Sequence, residues 1–158
     1  EGITSSRDAE KWISGAPPHD WLNITGGAIG QGMPVATGAA VACPDRKVFA
    51  MQADGSGMYT LQSLWTQARE KLDVVTIIFS NRAYRILFGE LKRVDVKEVG
   101  PKASDMFSLS HPDINWVQLA EGMGVHATRA DTCEQFNKSL EASIRSPGPH
   151  LIEAVIFK

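Results

Sequence analysis

Two apolar runs of six residues, Val48–Ala53 and 74–79, each stop abruptly at a polar segment suited to turning, Asp54-Gly55-Ser56-Gly57 after the first and Ser80-Asn81-Arg82-Ala83-Tyr84 after the second. Six residues is strand length, and apolar character on both faces predicts strands inside a covered parallel sheet. Between them residues 59–71 place Leu61, Leu64, Trp65 and Ala68 at helical spacing. Strand, loop, helix and strand form a βαβ unit, so Asp54 and Asn81, twenty-seven positions apart, are expected at one edge of one sheet. Open α/β folds bind ligands at that edge.

The rest of the chain continues the alternation. A glycine-dense turn at 26–32 precedes a small-residue helix over 33–43, which Pro44-Asp45-Arg46 ends. Residues 84–93 read as a helix with Ile86, Leu87 and Leu91 on one face, and 95–112 as an aperiodic, mobile connection. Then come a helix over 115–123, a strand over 125–129, a helix over 132–145 with Thr132 as N-cap, and a closing strand over 150–157. The expected architecture is α/β, three-layered, with a mainly parallel sheet and helices on both faces.

With 158 residues, 43% hydrophobic and 22% charged, the chain is one domain with a proper core. Its formal charge of −2, with 16 scattered Lys and Arg, excludes a basic nucleic-acid footprint. No apolar stretch approaches the roughly 20 residues of a membrane span, and the amino terminus lacks signal-peptide order. Cys43 and Cys133 are too few for a stapled scaffold and fit a reducing, cytoplasmic compartment, a disulfide between them staying open. Residues 1–25 read as a polar leader or linker and 26–158 as the folded domain. Starting at Glu1 without methionine, the chain reads as part of something longer.

The two strand ends carry oxygen chemistry. A magnesium ion takes about six hard oxygens and commonly draws only one or two from side chains, diphosphate and water supplying the rest. Asp54 offers a charged oxygen, Asn81 an amide oxygen, and the Ala83 carbonyl a third. Gly55, Ser56 and Gly57 let backbone N–H groups face a phosphate, and a helix starting near Tyr59 would add the positive end of its dipole. Taken singly, Asp-Gly is a common turn and Ser-Asn a common strand exit; their spacing across a βαβ unit gives them meaning.

On these residues the chain resembles the carboxy-terminal diphosphate-binding domain of thiamine-diphosphate-dependent enzymes, in the branch of acetolactate synthase, benzoylformate decarboxylase and pyruvate decarboxylase. That family's Gly-Asp-Gly, helix, strand and Asn-Asn pattern is present as Ala53-Asp54-Gly55-Ser56 and Ser80-Asn81, with Ala53 and Ser80 as departures that remove no ligand. The likeness extends from about Gly26 through Gly148-Pro149-His150-Leu151-Ile152-Glu153 to Phe157.

The resemblance implies thiamine diphosphate and Mg2+ as cofactors, with Asp54, Asn81 and Ala83 on the metal and Gly55, Ser56, Asn81 and Tyr84 around the diphosphate. It also implies that Gly27, Ala28 and Ile29 hold the aminopyrimidine end. The Gly27 carbonyl would accept from the exocyclic amine, and Ile29 would wedge beneath the bent cofactor, bringing that amine near the reactive thiazolium carbon. Ile86, Leu87 and Phe88 match substrate-pocket positions and read equally well as core.

The activity implied is carboligation or decarboxylation of a small 2-oxo acid, most like acetolactate synthase. Alternatives are a benzoylformate-decarboxylase-like enzyme and a non-catalytic binding homologue. In this family the activating glutamate comes from the pyrimidine-binding domain of another subunit, so no catalytic residue is assigned to this segment; Glu10 lacks the expected setting. A homodimer or homotetramer follows from a shared site.

Other readings of the same residues are weaker. Gly27-x-x-Gly30-x-Gly32 is not the dinucleotide fingerprint and no strand precedes it, although small residues there also suit close helix packing. A nucleotide-binding α/β domain remains a third class. His126 and His150 fall on expected strands in structural roles, His19 beside Asp20 and Trp21 is a candidate acid–base group, and Trp12, Trp21, Trp65 and Trp116 read as packing residues.

Overall fold

The computed structural model describes Glu1, Gly2, Thr4, Ser5 and residues 11–156. Four strands, β1 (Val48–Ala53), β2 (Val74–Ser80), β3 (His126–Ala130) and β4 (His150–Val155), form one sheet in the order β1-β2-β4-β3, every pairing parallel. Central β2 and β4 are buried almost throughout, which is why both read apolar on both faces. Edge strand β1 departs from the expectation of full cover, since Phe49 is 47% exposed. Phe157, within the expected closing strand, and Glu10 lie outside the described residues.

One face of the sheet packs on α1 (Gly32–Ala42), α3 (Ser63–Arg69) and α6 (Trp116–Gly122), meeting in a core of Met33, Leu64, Ile78, Trp116, Ala120 and Leu151. In α1 the inward positions Met33, Ala36 and Ala40 recur at helical spacing, and the two alanines let that helix lie close to Ala50 and Val74. The opposite face packs Val75, Ile77, Ile152 and Ala154 against Phe136 and Leu140 of α7 (Cys133–Arg145). Thr132 caps α7 by accepting from the Gln135 amide at 3.2 Å, as its sequence position predicts.

Three expectations need correction. The helix expected over 59–71 is the shorter α3, and the residues after β1 form their own turn, α2 (Asp54–Gly57). A helix starting near Tyr59 therefore does not aim its dipole at the diphosphate loop. The connection 95–112, expected to be structureless, contains α5 (Pro101–Met106) and returns to pair with the loop after β2: the Tyr84 amide donates to the Phe107 carbonyl at 2.8 Å and the Leu109 amide to the Arg82 carbonyl at 2.8 Å. Aperiodic sequence hid that pairing because its partner lies more than twenty residues earlier. Among the tryptophans only Trp116 is core, at 0% exposure, whereas Trp12, Trp21 and Trp65 are exposed. Cys43 and Cys133 are free thiols.

Candidate functional site

Parallel pairing of β1 with β2 puts Ala53 opposite Phe79, so both chains leave the sheet side by side. The Asp54 carboxylate, 2% exposed, turns back across this edge. Its Oδ1 accepts from the Gly55 amide at 2.8 Å and its Oδ2 from the Arg82 amide at 2.6 Å. The second bond crosses from one strand end to the other and seats the acid against the Asn81-Arg82 turn. Asn81 is buried and its Oδ1 accepts from the Ala83 amide at 2.9 Å, closing the turn on itself. Arg82 holds φ at +59°, a left-handed conformation uncommon outside glycine, and its guanidinium is fixed by Asp113 at 3.0 Å.

Burial pushes the Asp54 carboxyl above its ordinary range, a rise limited by the amide hydrogen bonds from Arg82, Gly55 and Asn81. Among the described residues no cationic side chain forms a salt bridge with it, and no cluster of three or more His, Cys, Asp and Glu surrounds it. A desolvated carboxylate without a counter-charge is what a cation relieves. One acid, one amide oxygen and the Ala83 carbonyl, which accepts no hydrogen bond among the described residues, suit a hard ion that takes its remaining oxygens from an anionic ligand. The residues present fit magnesium held with a diphosphate. A closed zinc site would need four ligands.

Gly55 leaves no room for a side chain: a Cβ there would lie 2.7 Å from the Tyr84 ring. Tyr84 thus covers the Asp54 loop from the β2 side, and Asp54, Gly55, Ser56, Asn81, Ala83 and Tyr84 lie at one end of the β1–β2 pair. A cavity of about 450 Å³ opens beside them, lined by Asn81, Ala83, Arg85, Phe88, Ser108 and His111 among others. The three substrate-pocket candidates lie on α4 (Arg85–Arg93), where no residue is buried, so their alternative reading as core is corrected. Phe88 lines the cavity, edge-on to Phe107 at 5.1 Å between ring centres, while Ile86 and Leu87 are not among its walls.

At the glycine turn, Gly27 and Gly30 have φ of +67° and +94°, values glycine adopts without strain. The Ile29 amide donates to the Gly27 carbonyl at 3.0 Å, and Ile29 is 39% exposed. Thr60 ties this turn to the Asp54 side by donating to the Gly30 carbonyl at 2.8 Å. His19 stays outside: its Nδ1 lies 2.8 Å from the Pro17 carbonyl, and its ring contact is with neighbouring Trp21. His126 and His150 touch at the amino ends of β3 and β4, away from the edge that carries Asp54 and Asn81.

One participant escaped the sequence reading. Glu1, in what read as a leader, accepts from the amides of Gly30, Gln31 and Gly32 and from the Gln52 amide group. The available signal was negative: α1 starts with no capping side chain and no acid in its first turn, so acceptors for its first amides had to come from elsewhere in the chain or from water.

Known proteins are similar to this chain in sequence and fold. Residues 4–154 match the family model described as thiamine pyrophosphate enzyme, C-terminal TPP binding domain. The Mycobacterium tuberculosis protein IlvX, which carries the name putative acetolactate synthase large subunit, is 56% identical over 144 residues, covering 90% of this chain and 28% of the relative. The acetolactate synthase isozyme 1 large subunit of Escherichia coli is 35% identical over 146 residues, covering 88% of this chain and 24% of the relative. Among solved structures, the thiamine diphosphate-dependent 4-hydroxybenzoylformate decarboxylase of Rhodococcus jostii superposes with a TM-score of 0.72 at 36% identity, over 82% of this chain and 24% of that one. The chain thus spans about a quarter of the length of these relatives.

Proposed function

The chain belongs to the thiamine pyrophosphate enzymes, as a C-terminal TPP binding domain, and from that premise we propose that it is the cofactor-anchoring half of an acetolactate-synthase-like carboligase acting on a small 2-oxo acid. One observation carries the reading: Asp54 and Asn81, from adjacent strand ends, are drawn together by the Arg82 amide bond to Asp54.

In this reading Asp54, Asn81 and the Ala83 carbonyl hold Mg2+, and amides of the Gly55-Ser56 turn with Tyr84 hold the diphosphate. Gly27, Ala28 and Ile29 receive the aminopyrimidine end, with Ile29, partly exposed at the turn, as the support under the bend. The bound cofactor supplies an electron sink for cleaving or forming a carbon–carbon bond next to a carbonyl. The protein's part is placement: a buried acid held between the turns that follow β1 and β2. Phe88 and the cavity beside Asn81 and Ala83 face the space where a small 2-oxo acid would lie, and Ile86 and Leu87 line a pocket completed by other chain segments.

A site assembled with the pyrimidine-binding domain of a second subunit makes the working form a homodimer or homotetramer. The compartment proposed is the cytoplasm; among the described residues no helix is long and apolar enough to cross a membrane. Neither nucleic acid nor membrane is a proposed partner. The likeness to the 4-hydroxybenzoylformate decarboxylase supports simple decarboxylation as the second reading.

Incubating the full-length parent protein with pyruvate and with benzoylformate, and measuring carbon dioxide and acetolactate, separates the readings. Acetolactate from pyruvate supports the carboligase, and carbon dioxide without acetolactate supports the decarboxylase. Bound cofactor without turnover of either acid would leave only a binding module.

A further inference from the structure

We propose that Glu1 and Gln52 are positioning residues which lock the glycine turn to the Asp54 loop through a Glu1–Gln52–Ser56 bridge, and so hold the two halves of the cofactor cradle at a set separation. This rests on reading the site as one for thiamine diphosphate.

The geometry is specific at every link. Glu1 Oε1 accepts from the Gln31 amide at 2.7 Å and the Gly32 amide at 2.9 Å, while Oε2 accepts from the Gly30 amide at 2.9 Å. These three N–H groups lie at the start of α1, so the carboxylate caps a helix that has no cap of its own. The same Oε2 accepts from Gln52 Nε2 at 2.7 Å, and that nitrogen also donates to Ser56 Oγ at 3.1 Å. Gln52 is 0% exposed and sits two residues before Asp54 on β1. One amide group therefore spans from the pyrimidine turn to the diphosphate loop.

Two further observations show how closely the bridge is packed. The Glu1 backbone nitrogen donates to the Met51 carbonyl at 2.6 Å, holding the residue against β1. A Cβ on Gly32 would run into Gln52 Oε1 and the Glu1 side chain, so a side chain there would displace the bridge. Burial alone would raise the Glu1 carboxyl, but hydrogen bonds from Gly30, Gln52, Gly32 and Gln31 outweigh it and hold the group below the usual carboxylate range. An acid kept ionised and occupied by four donors is a strut rather than a proton donor. Its effect on the reaction runs through Ile29, which directly precedes the amides it grips, and through Gly27 two residues further back.

The test uses the full-length parent protein and two probes titrated calorimetrically with Mg2+ present: inorganic diphosphate, which engages only the Asp54 side, and thiamine diphosphate, which engages both. Glu1→Gln removes the charge and places an NH2 against donor amides. It is expected to weaken thiamine diphosphate roughly tenfold or more while leaving diphosphate within about twofold. Amide hydrogen exchange at Gly30, Gln31 and Gly32 should speed up by a similar factor without any cofactor.

Gln52→Met should reproduce the affinity pattern, and the double variant should be no weaker than the worse single one, because both break one bridge. If the buried Gln52→Met variant does not fold, Glu1→Gln carries the test, since it leaves β1 intact. Equal loss for both probes, or no loss for either, overturns the proposal. Wild type that binds diphosphate but not thiamine diphosphate would overturn the site reading itself, and this inference with it.

Discussion

Replacing Asp54 by asparagine tests the proposed metal site through two contributions that can be separated. The carboxylate accepts from two amides, Gly55 at 2.8 Å and Arg82 at 2.6 Å, one on each oxygen. An asparagine side chain would keep one acceptor and turn an NH2 against the other donor, leaving a buried N–H unpaired at a cost of about 1–3 kcal/mol. Relief of a desolvated charge, whose carboxyl burial already pushes upward, offsets part of that loss, so the ligand-free variant is expected to melt within a few degrees of wild type. The second contribution is larger and of one sign. Mg2+ and thiamine diphosphate at about a hundred times their apparent dissociation constant stabilise a binding-competent fold by about 2.7 kcal/mol. At about 2–4 °C per kcal/mol for a chain of this size, that is a rise of about 5–11 °C. Differential scanning fluorimetry of both proteins, with and without Mg2+ and thiamine diphosphate, reads the difference of differences. Asp54→Asn should show no ligand-dependent rise; a rise equal to wild type's would refute the assignment of Asp54 to the cation.

Trp116, fully buried in the larger core with its indole N–H unpartnered, should lose about 3–5 kcal/mol as Trp116→Ala in urea unfolding, whereas Trp116→Phe, which deletes the unpaired donor, should lose much less. Thr132→Ala removes the α7 cap and should cost about 1 kcal/mol by the same assay. His150 has its imidazole pushed below the ordinary value of 6.5 by burial, helped by His126 and Lys47. Since the unfolded ring binds a proton more readily, the His150 contribution is complete above pH 6.5 and is lost as pH falls through that value toward the lower folded one. Denaturation midpoints measured across that window should show a weaker pH dependence in His150→Asn. In Glu1→Gln, unchanged hydrogen exchange at the Gly30, Gln31 and Gly32 amides would mean that the strut between turn and loop is absent.

The order of elements was legible from local pattern. β1 and β2 have the bounds read from their apolar runs, give or take one residue, and Thr132 caps α7 where an N-cap was expected. Strand periodicity, turn residues and capping are set by neighbours in the chain, so the chain states them directly. Helix lengths near the site were less legible, because the glycines and serine after Asp54 close into α2, buried under Tyr84 and Trp116, and that burial is a tertiary matter.

By itself the sequence determined that an acid and an amide leave two parallel strands twenty-seven residues apart, with flexible turns able to face a phosphate. Only the tertiary structure decided what surrounds them: the left-handed Arg82 that aims its amide at Asp54, the return of 107–109 onto the loop after β2, and Glu1 reaching the turn at Gly30 and Gln52 on β1. Each joins residues more than twenty positions apart. Local propensity carries no information about such pairs, whose meeting depends on which faces the packed sheet and helices bring together.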